Sequence, residues 1–64
     1  MDAPVRVAIL EDQVIFRDAL EDMLLSEDLQ VVVSTGSSEE FLRRVDSAQL
    51  DVAIIDLRLE RPGA

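Results

Sequence analysis

Three carboxylates stand where a folded chain could bring them together. Glu11 and Asp12 close one apolar run, Val5 to Leu10, and Asp56 closes another, Val52-Ala53-Ile54-Ile55. Runs of this kind, rich in β-branched Val and Ile, read as strands buried on both faces. A charge at the end of such a strand sits at the mouth of a parallel sheet, where open α/β proteins keep their chemistry. Three acids gathered there repel one another, and a divalent cation relieves the repulsion. Magnesium is the natural choice, because it takes oxygen ligands and keeps several waters, so that a few carboxylates suffice. Beside such a cation, Asp56 can remain ionised and attack a phosphoryl group, leaving an acyl phosphate on its own side chain.

Each acid also has a plainer reading. Glu11-Asp12 ahead of a helix favours the positive end of the helix dipole. A single Asp closing a strand is often a loop former or a cap. The conjunction of an acid pair and a third acid, on the ends of strands expected to be neighbours, is what points to a site. Ser34, Thr35, Ser37 and Ser38 read as turn and cap residues. Arg58 reads as a loop residue whose backbone carbonyl could reach a metal.

The scaffold follows from periodicity. From Gln13, Phe16, Ala19, Leu20, Met23 and Leu24 recur at helical spacing and predict one apolar stripe, with Arg17, Asp18, Glu21 and Asp22 opposite it. This helix is expected to end around Ser26 to Asp28. Val31 to Val33 reads as a short second strand and Ser34 to Ser37 as a turn cluster. Ser37 with Glu40 three residues on fits a capping box. A second helix, with Phe41, Leu42 and Val45 as its apolar residues, runs to about Ala48. Gln49 to Asp51 leads into the last strand, and Leu57 to Ala64 reads as a loop with a Pro62-Gly63 turn.

The order β-α-β-α-β implies parallel strands joined by right-handed crossovers. Strand three could extend the sheet beyond strand two, or return beside strand one to give the order 2-1-3. The second arrangement makes a switch point between strands one and three. It sets the helices on opposite faces and would bring Glu11, Asp12 and Asp56 into one pocket.

Composition narrows the function classes. Sixty-four residues allow one small domain with a thin core. With two Phe and no Trp or Tyr, the core must be aliphatic and no aromatic platform exists for stacking bases. A formal charge of −8 argues against direct nucleic-acid binding and fits a cation site or a basic partner. All six cations are Arg, so Schiff-base chemistry, a Ser/His/Asp triad and His metal sites are excluded. The absence of Cys excludes disulfides and thiolate ligands and is compatible with the cytoplasm. No signal peptide and no membrane-spanning run is expected.

Val5-Arg6-Val7-Ala8-Ile9-Leu10-Glu11-Asp12, the Phe16-Arg17 step, and Asp51-Val52-Ala53-Ile54-Ile55-Asp56-Leu57-Arg58-Leu59 closely resemble the N-terminal half of a response regulator receiver domain. The likeness covers nearly the whole of residues 1–64. It implies an α/β fold of the flavodoxin-like (CheY-like) kind, here a parallel sheet fragment, β-α-β-α-β with strand order 2-1-3. It also implies phosphotransfer from the phosphohistidine of a sensor histidine kinase in the cytoplasm. By position, the resemblance makes Asp56 the phosphoacceptor and Asp12 a direct Mg²⁺ ligand. Glu11 would hold the metal largely through water, and the Arg58 carbonyl would be a further ligand. The Gln13 to Arg17 region is similar to receivers that precede a helix-turn-helix DNA-binding domain, and that similarity would imply a role in transcription regulation.

Two departures stand out. Glu60 occupies the place where the family usually has Pro, with Pro62 two residues later. The sequence also stops after strand three, so the family's switch hydroxyl and phosphate-binding Lys, which follow strands four and five, have no counterpart, and phosphotransfer by this chain is expected to be impaired or lost. The expected consequence is an open edge on strand three, an invitation to pairing. A homodimer or higher oligomer through that edge, with mates antiparallel, is therefore expected. Two other functions compete with phosphoacceptance. One is an oligomerising structural module whose acids are a leftover. The other is a Mg²⁺-dependent phosphohydrolase with an Asp nucleophile, disfavoured because Arg58 stands where such enzymes often carry a second Asp.

Overall fold

The computed structural model describes residues 3–56. Its elements are β1 (Arg6–Leu10), α1 (Val14–Ser26), β2 (Gln30–Thr35), α2 (Ser38–Ser47) and β3 (Val52–Ile55). The three strands are parallel and ordered β2-β1-β3. This is the switch-point arrangement and is consistent with a CheY-like fold.

β1 is the central strand, and its alternating side chains divide the core in two. Ala8 and Leu10 pack with Val33 and with Phe41 of α2 on one face. Val7 and Ile9 pack with Leu24 of α1 on the other. Each helix therefore covers one face, as right-handed crossovers on either side of a central strand require. β2 pairs with β1 from Arg6↔Gln30 to Leu10↔Thr35, with a register shift where Val7↔Val31 gives way to Ala8↔Val33. Val32 is the extra residue, so Val32 and Val33 both pack towards α2 while Val31 packs towards α1.

The structure corrects several expectations. β3 is not buried on both faces among the described residues: Val52 is 47% and Ile55 45% exposed, and only β1 lies beside it. An apolar run marks a strand but does not distinguish a central position from an edge. β2 continues through Ser34 and Thr35, because pairing to β1 carries on past the apolar residues.

α1 is rotated from its apolar stripe. Leu24 is buried and Leu20 half-buried, but Phe16 and Met23 are 49% and 54% exposed, while Arg17 and Glu21 turn inward to half-buried positions. The inward face is thus Arg17-Leu20-Glu21-Leu24. Its two charged members have partners at the sheet: Arg17 donates to the Glu11 carbonyl and Glu21 accepts from the Ser34 hydroxyl.

Half of the expected capping box forms. The Ser37 hydroxyl accepts from the Glu40 N–H at 3.1 Å, satisfying a helix N-terminal donor. Glu40 itself does not reach back. Its carboxylate pairs with Arg43 and Arg44, and the Ser37 N–H donates to Thr35 Oγ1 instead. No helix among the described residues is long and apolar enough to cross a membrane.

Candidate functional site

The carboxyl ends of β1 and β3 lie side by side. The pairing Leu10↔Ile55 extends by one more bond, from the Asp56 N–H to the Leu10 carbonyl at 3.0 Å. This register places Glu11 and Asp56 next to each other, one residue past their strands. On the other side, the Glu11 N–H donates to the Thr35 carbonyl at 3.0 Å, tying the same point to β2.

Glu11 is 6% exposed, the single charged residue among the buried ones described. Its carboxylate accepts from the Gln13 N–H at 3.1 Å. Gln13 is the N-cap of α1 and offers no side-chain cap, so Glu11 meets the helix end in its place. Asp12 is exposed in the turn, and Asp56 is half-buried. One carboxylate oxygen from each of Glu11, Asp12 and Asp56 lies within 4.8 Å of the other two. The three residues singled out in the sequence thus converge on one spot. Arg58, whose carbonyl was a further candidate ligand, lies outside the described residues, as does the Leu57 to Ala64 loop.

Three hard oxygen donors at this spacing suit a hard divalent cation that retains part of its water shell, as Mg²⁺ does. Soft metals are disfavoured, since among the donors brought together there is neither thiolate nor imidazole. Asp56 lies at the carboxyl end of β3, the edge of a parallel sheet at which open α/β proteins place their ligands.

Two residues missed in the sequence belong to the frame of this site. Arg17 reaches the Glu11 carbonyl, Nη1 to O being 2.8 Å. Gly36, which reads only as a turn residue, stands so close that a Cβ on it would lie 2.6 Å from Arg17 Nη1 and 3.0 Å from Asp12 Cα.

With this geometry in view, the chain is 39% identical over 56 residues to the DNA-binding transcriptional activator DevR/DosR of Mycobacterium tuberculosis. The likeness supports a response regulator fragment. The matched stretch takes in 86% of this chain but 26% of that protein, so the segment spans about a quarter of its relative's length. No protein-family model matches the chain, and no solved structure does.

Proposed function

We propose that this response regulator segment is the N-terminal half of a receiver domain that takes a phosphoryl group on Asp56 from a sensor histidine kinase. What carries the reading is the convergence of Glu11, Asp12 and Asp56 at the carboxyl ends of neighbouring strands. An Asp56 oxygen forms a bond to phosphorus as the phosphorus–nitrogen bond of the kinase phosphohistidine breaks. The imidazole leaves with the bonding electron pair and takes up a proton from water. Asp12 and Asp56 would hold Mg²⁺ directly, with Glu11 acting through water and the Arg58 carbonyl completing the protein ligands. Bound there, the metal offsets charge on the transferring group. Such a segment is a signalling phosphoacceptor rather than an enzyme with turnover. The likeness to a transcriptional activator supports transcription as the output of the longer protein, in a cytoplasmic setting.

The test is a Mg²⁺ titration of the isotopically labelled chain, followed through backbone amide shifts, and then exposure to an acyl phosphate donor with intact-mass detection. Saturable shifts centred on Glu11, Asp12 and Asp56, and a phosphoryl adduct absent from Asp56→Asn, are expected. Absence of both would overturn the reading.

Among the described residues β1 alone pairs with β3, which favours a second reading, an oligomerising module. Val52 and Ile55 are each nearly half exposed there, and a two-fold mate could extend the sheet antiparallel. The charge of −8 on each copy opposes such pairing. A size measurement at micromolar concentration decides: a folded monomer removes this reading.

A further inference from the structure

We propose that Arg17 is a positioning residue for the acidic site. Seated against Gly36, its guanidinium holds the Glu11 carbonyl and so fixes the strand-to-helix turn that carries Glu11 and Asp12. The inference rests on the reading of that site as a cation site, but its geometry can be tested without a cation.

Three parts of the chain meet at the guanidinium. Arg17 projects from the first turns of α1, Glu11 ends β1, and Gly36 follows β2. Nη1 donates to the Glu11 carbonyl oxygen across 2.8 Å in partly buried surroundings. The bond fits only because position 36 has no side chain. A Cβ there would approach Nη1 to 2.6 Å, Asp12 Cα to 3.0 Å and the Glu11 carbonyl oxygen to 3.2 Å. The Arg side chain could retreat from that contact. The Asp12 backbone could do so only by moving the turn itself.

Besides the first helical bond, from the Arg17 N–H to the Gln13 carbonyl, the turn is tied at three atoms, all on the residues flanking Asp12. The Glu11 N–H is held by the Thr35 carbonyl, the Glu11 carbonyl by Arg17, and the Gln13 N–H by the Glu11 carboxylate. Asp12 takes its place from those neighbours. Of the three ties, the one from Arg17 crosses from the helix back to the strand. Without it, the side-chain hydrogen bonding at the entry to α1 rests on the Glu11 carboxylate, the same group that would serve a cation, while the later turns stay held by Leu24 against Val7 and Ile9 and by Glu21 on Ser34.

Charge alone points the other way. A guanidinium near the site repels a divalent cation, so removing it should tighten binding on Coulombic grounds. Removing a group that orients ligands weakens metal binding, commonly by about 10-fold to 100-fold. The two effects have opposite signs, so the direction of the change identifies the role.

The experiment uses the full labelled chain as wild type, Arg17→Ala, Arg17→Lys, Gly36→Ala and the double variant Arg17→Ala/Gly36→Ala. In metal-free buffer, amide exchange at Glu11, Asp12 and Gln13 should accelerate in both alanine variants, with exchange at Val7 to Ile9 unchanged. Arg17→Lys, which keeps one donor, should recover part of the protection. Mg²⁺ affinity, read from the amide shifts, should fall about tenfold in Arg17→Ala. The double variant should be no worse than Gly36→Ala, whose added Cβ already displaces the guanidinium and presses on the Asp12 backbone as well. Equal or tighter Mg²⁺ binding in Arg17→Ala overturns the proposal, as does unchanged exchange at Glu11 to Gln13. Should Arg17→Ala fail to fold, Arg17→Lys supplies the comparison: faster exchange at Glu11 to Gln13 and weaker Mg²⁺ binding support the proposal, and the absence of both overturns it. Should wild type show no saturable Mg²⁺ shifts, the cation reading fails. The metal-free exchange then decides the clamp alone: acceleration supports it, and no change overturns it.

Discussion

The two ends of the sheet use aspartate in opposite ways. At the end where the strands begin, Asp51 is answered by a cation. Its carboxylate accepts from the Arg6 N–H at 2.9 Å and lies 3.7 Å from Arg6 Nε, while its own N–H donates to the Arg6 carbonyl at 2.8 Å. Arg6 also reaches the Gln49 side chain at 3.1 Å. These contacts pin the start of β3 to the start of β1. At the other end three carboxylates crowd together, and the nearby Arg17 spends a hydrogen bond on a backbone carbonyl. One end is arranged so that its acid stabilises the register. The other gathers like charges, an arrangement that the proposed cation would relieve.

The largest expected contrast between the ends is chemical. Asp56→Asn should abolish phosphoryl uptake from an acyl phosphate donor, and Asp51→Asn should leave it intact. Intact-mass measurement of both variants checks this, and uptake by Asp56→Asn would show that the nucleophile lies elsewhere.

Next in size is the effect of the cation on stability. A ligand that binds only the folded chain adds about 2.7 kcal/mol when present at 100 times its dissociation constant. Wild type and Asp51→Ala should gain that increment with Mg²⁺, while Asp12→Ala and Asp56→Asn should lose most of it. Urea denaturation with and without Mg²⁺ measures the difference.

Without metal, the two ends should respond to charge removal with opposite signs. Two like charges about 4 Å apart repel by about 1 kcal/mol in water-like surroundings and more where solvent is excluded. Asp12→Ala should therefore raise metal-free stability, by on the order of 1 kcal/mol. Asp51→Ala removes a hydrogen-bonded pair whose side chains are 49% and 36% exposed, so solvent screening limits the loss to about 1 kcal/mol. The denaturation midpoints of the two variants should shift in opposite directions. A shift in the same direction would mean that the acids at the strand ends are as well satisfied as Asp51.

Much of this contrast was legible in the sequence, and the parts that were not share a cause. The apolar runs, the helical period and the Ser37 cap all report on local preferences, and they placed the five elements and their order. The switch-point argument then brought Glu11, Asp12 and Asp56 together. What pattern reading missed depends on atoms of distant segments. Arg17 and Glu21 fall on the polar side of the apolar stripe, yet the Glu11 carbonyl and the Ser34 hydroxyl draw them inward and leave Phe16 and Met23 outside. Gly36 reads as a turn former, whereas its importance lies in the room it leaves for a guanidinium. The bulge at Val32 is invisible in a run of three valines, because nothing in their types says which one is extra.

The smallest effect tests whether the strand-start end is free to be improved. After α1 the chain turns at Asp28 with φ of 64°, a left-handed conformation that disfavours residues with a Cβ. The Leu29 N–H donates to the Leu24 carbonyl at 3.0 Å and the Asp28 N–H to the Leu25 carbonyl at 3.1 Å, closing a Schellman turn around Asp28. Glycine is the residue this position prefers, and Asp tolerates it better than most others do. Asp28→Gly should therefore stabilise the chain, by roughly 0.5–1 kcal/mol once glycine's greater freedom in the unfolded state is set against the relief. It also removes a negative charge from an acidic chain, so Asp28→Asn, which removes the charge and keeps the Cβ, is the control. A gain in Asp28→Gly beyond that in Asp28→Asn assigns the effect to the backbone. Equal gains would assign it to charge, and this end of the sheet would then share in the repulsion that marks the other.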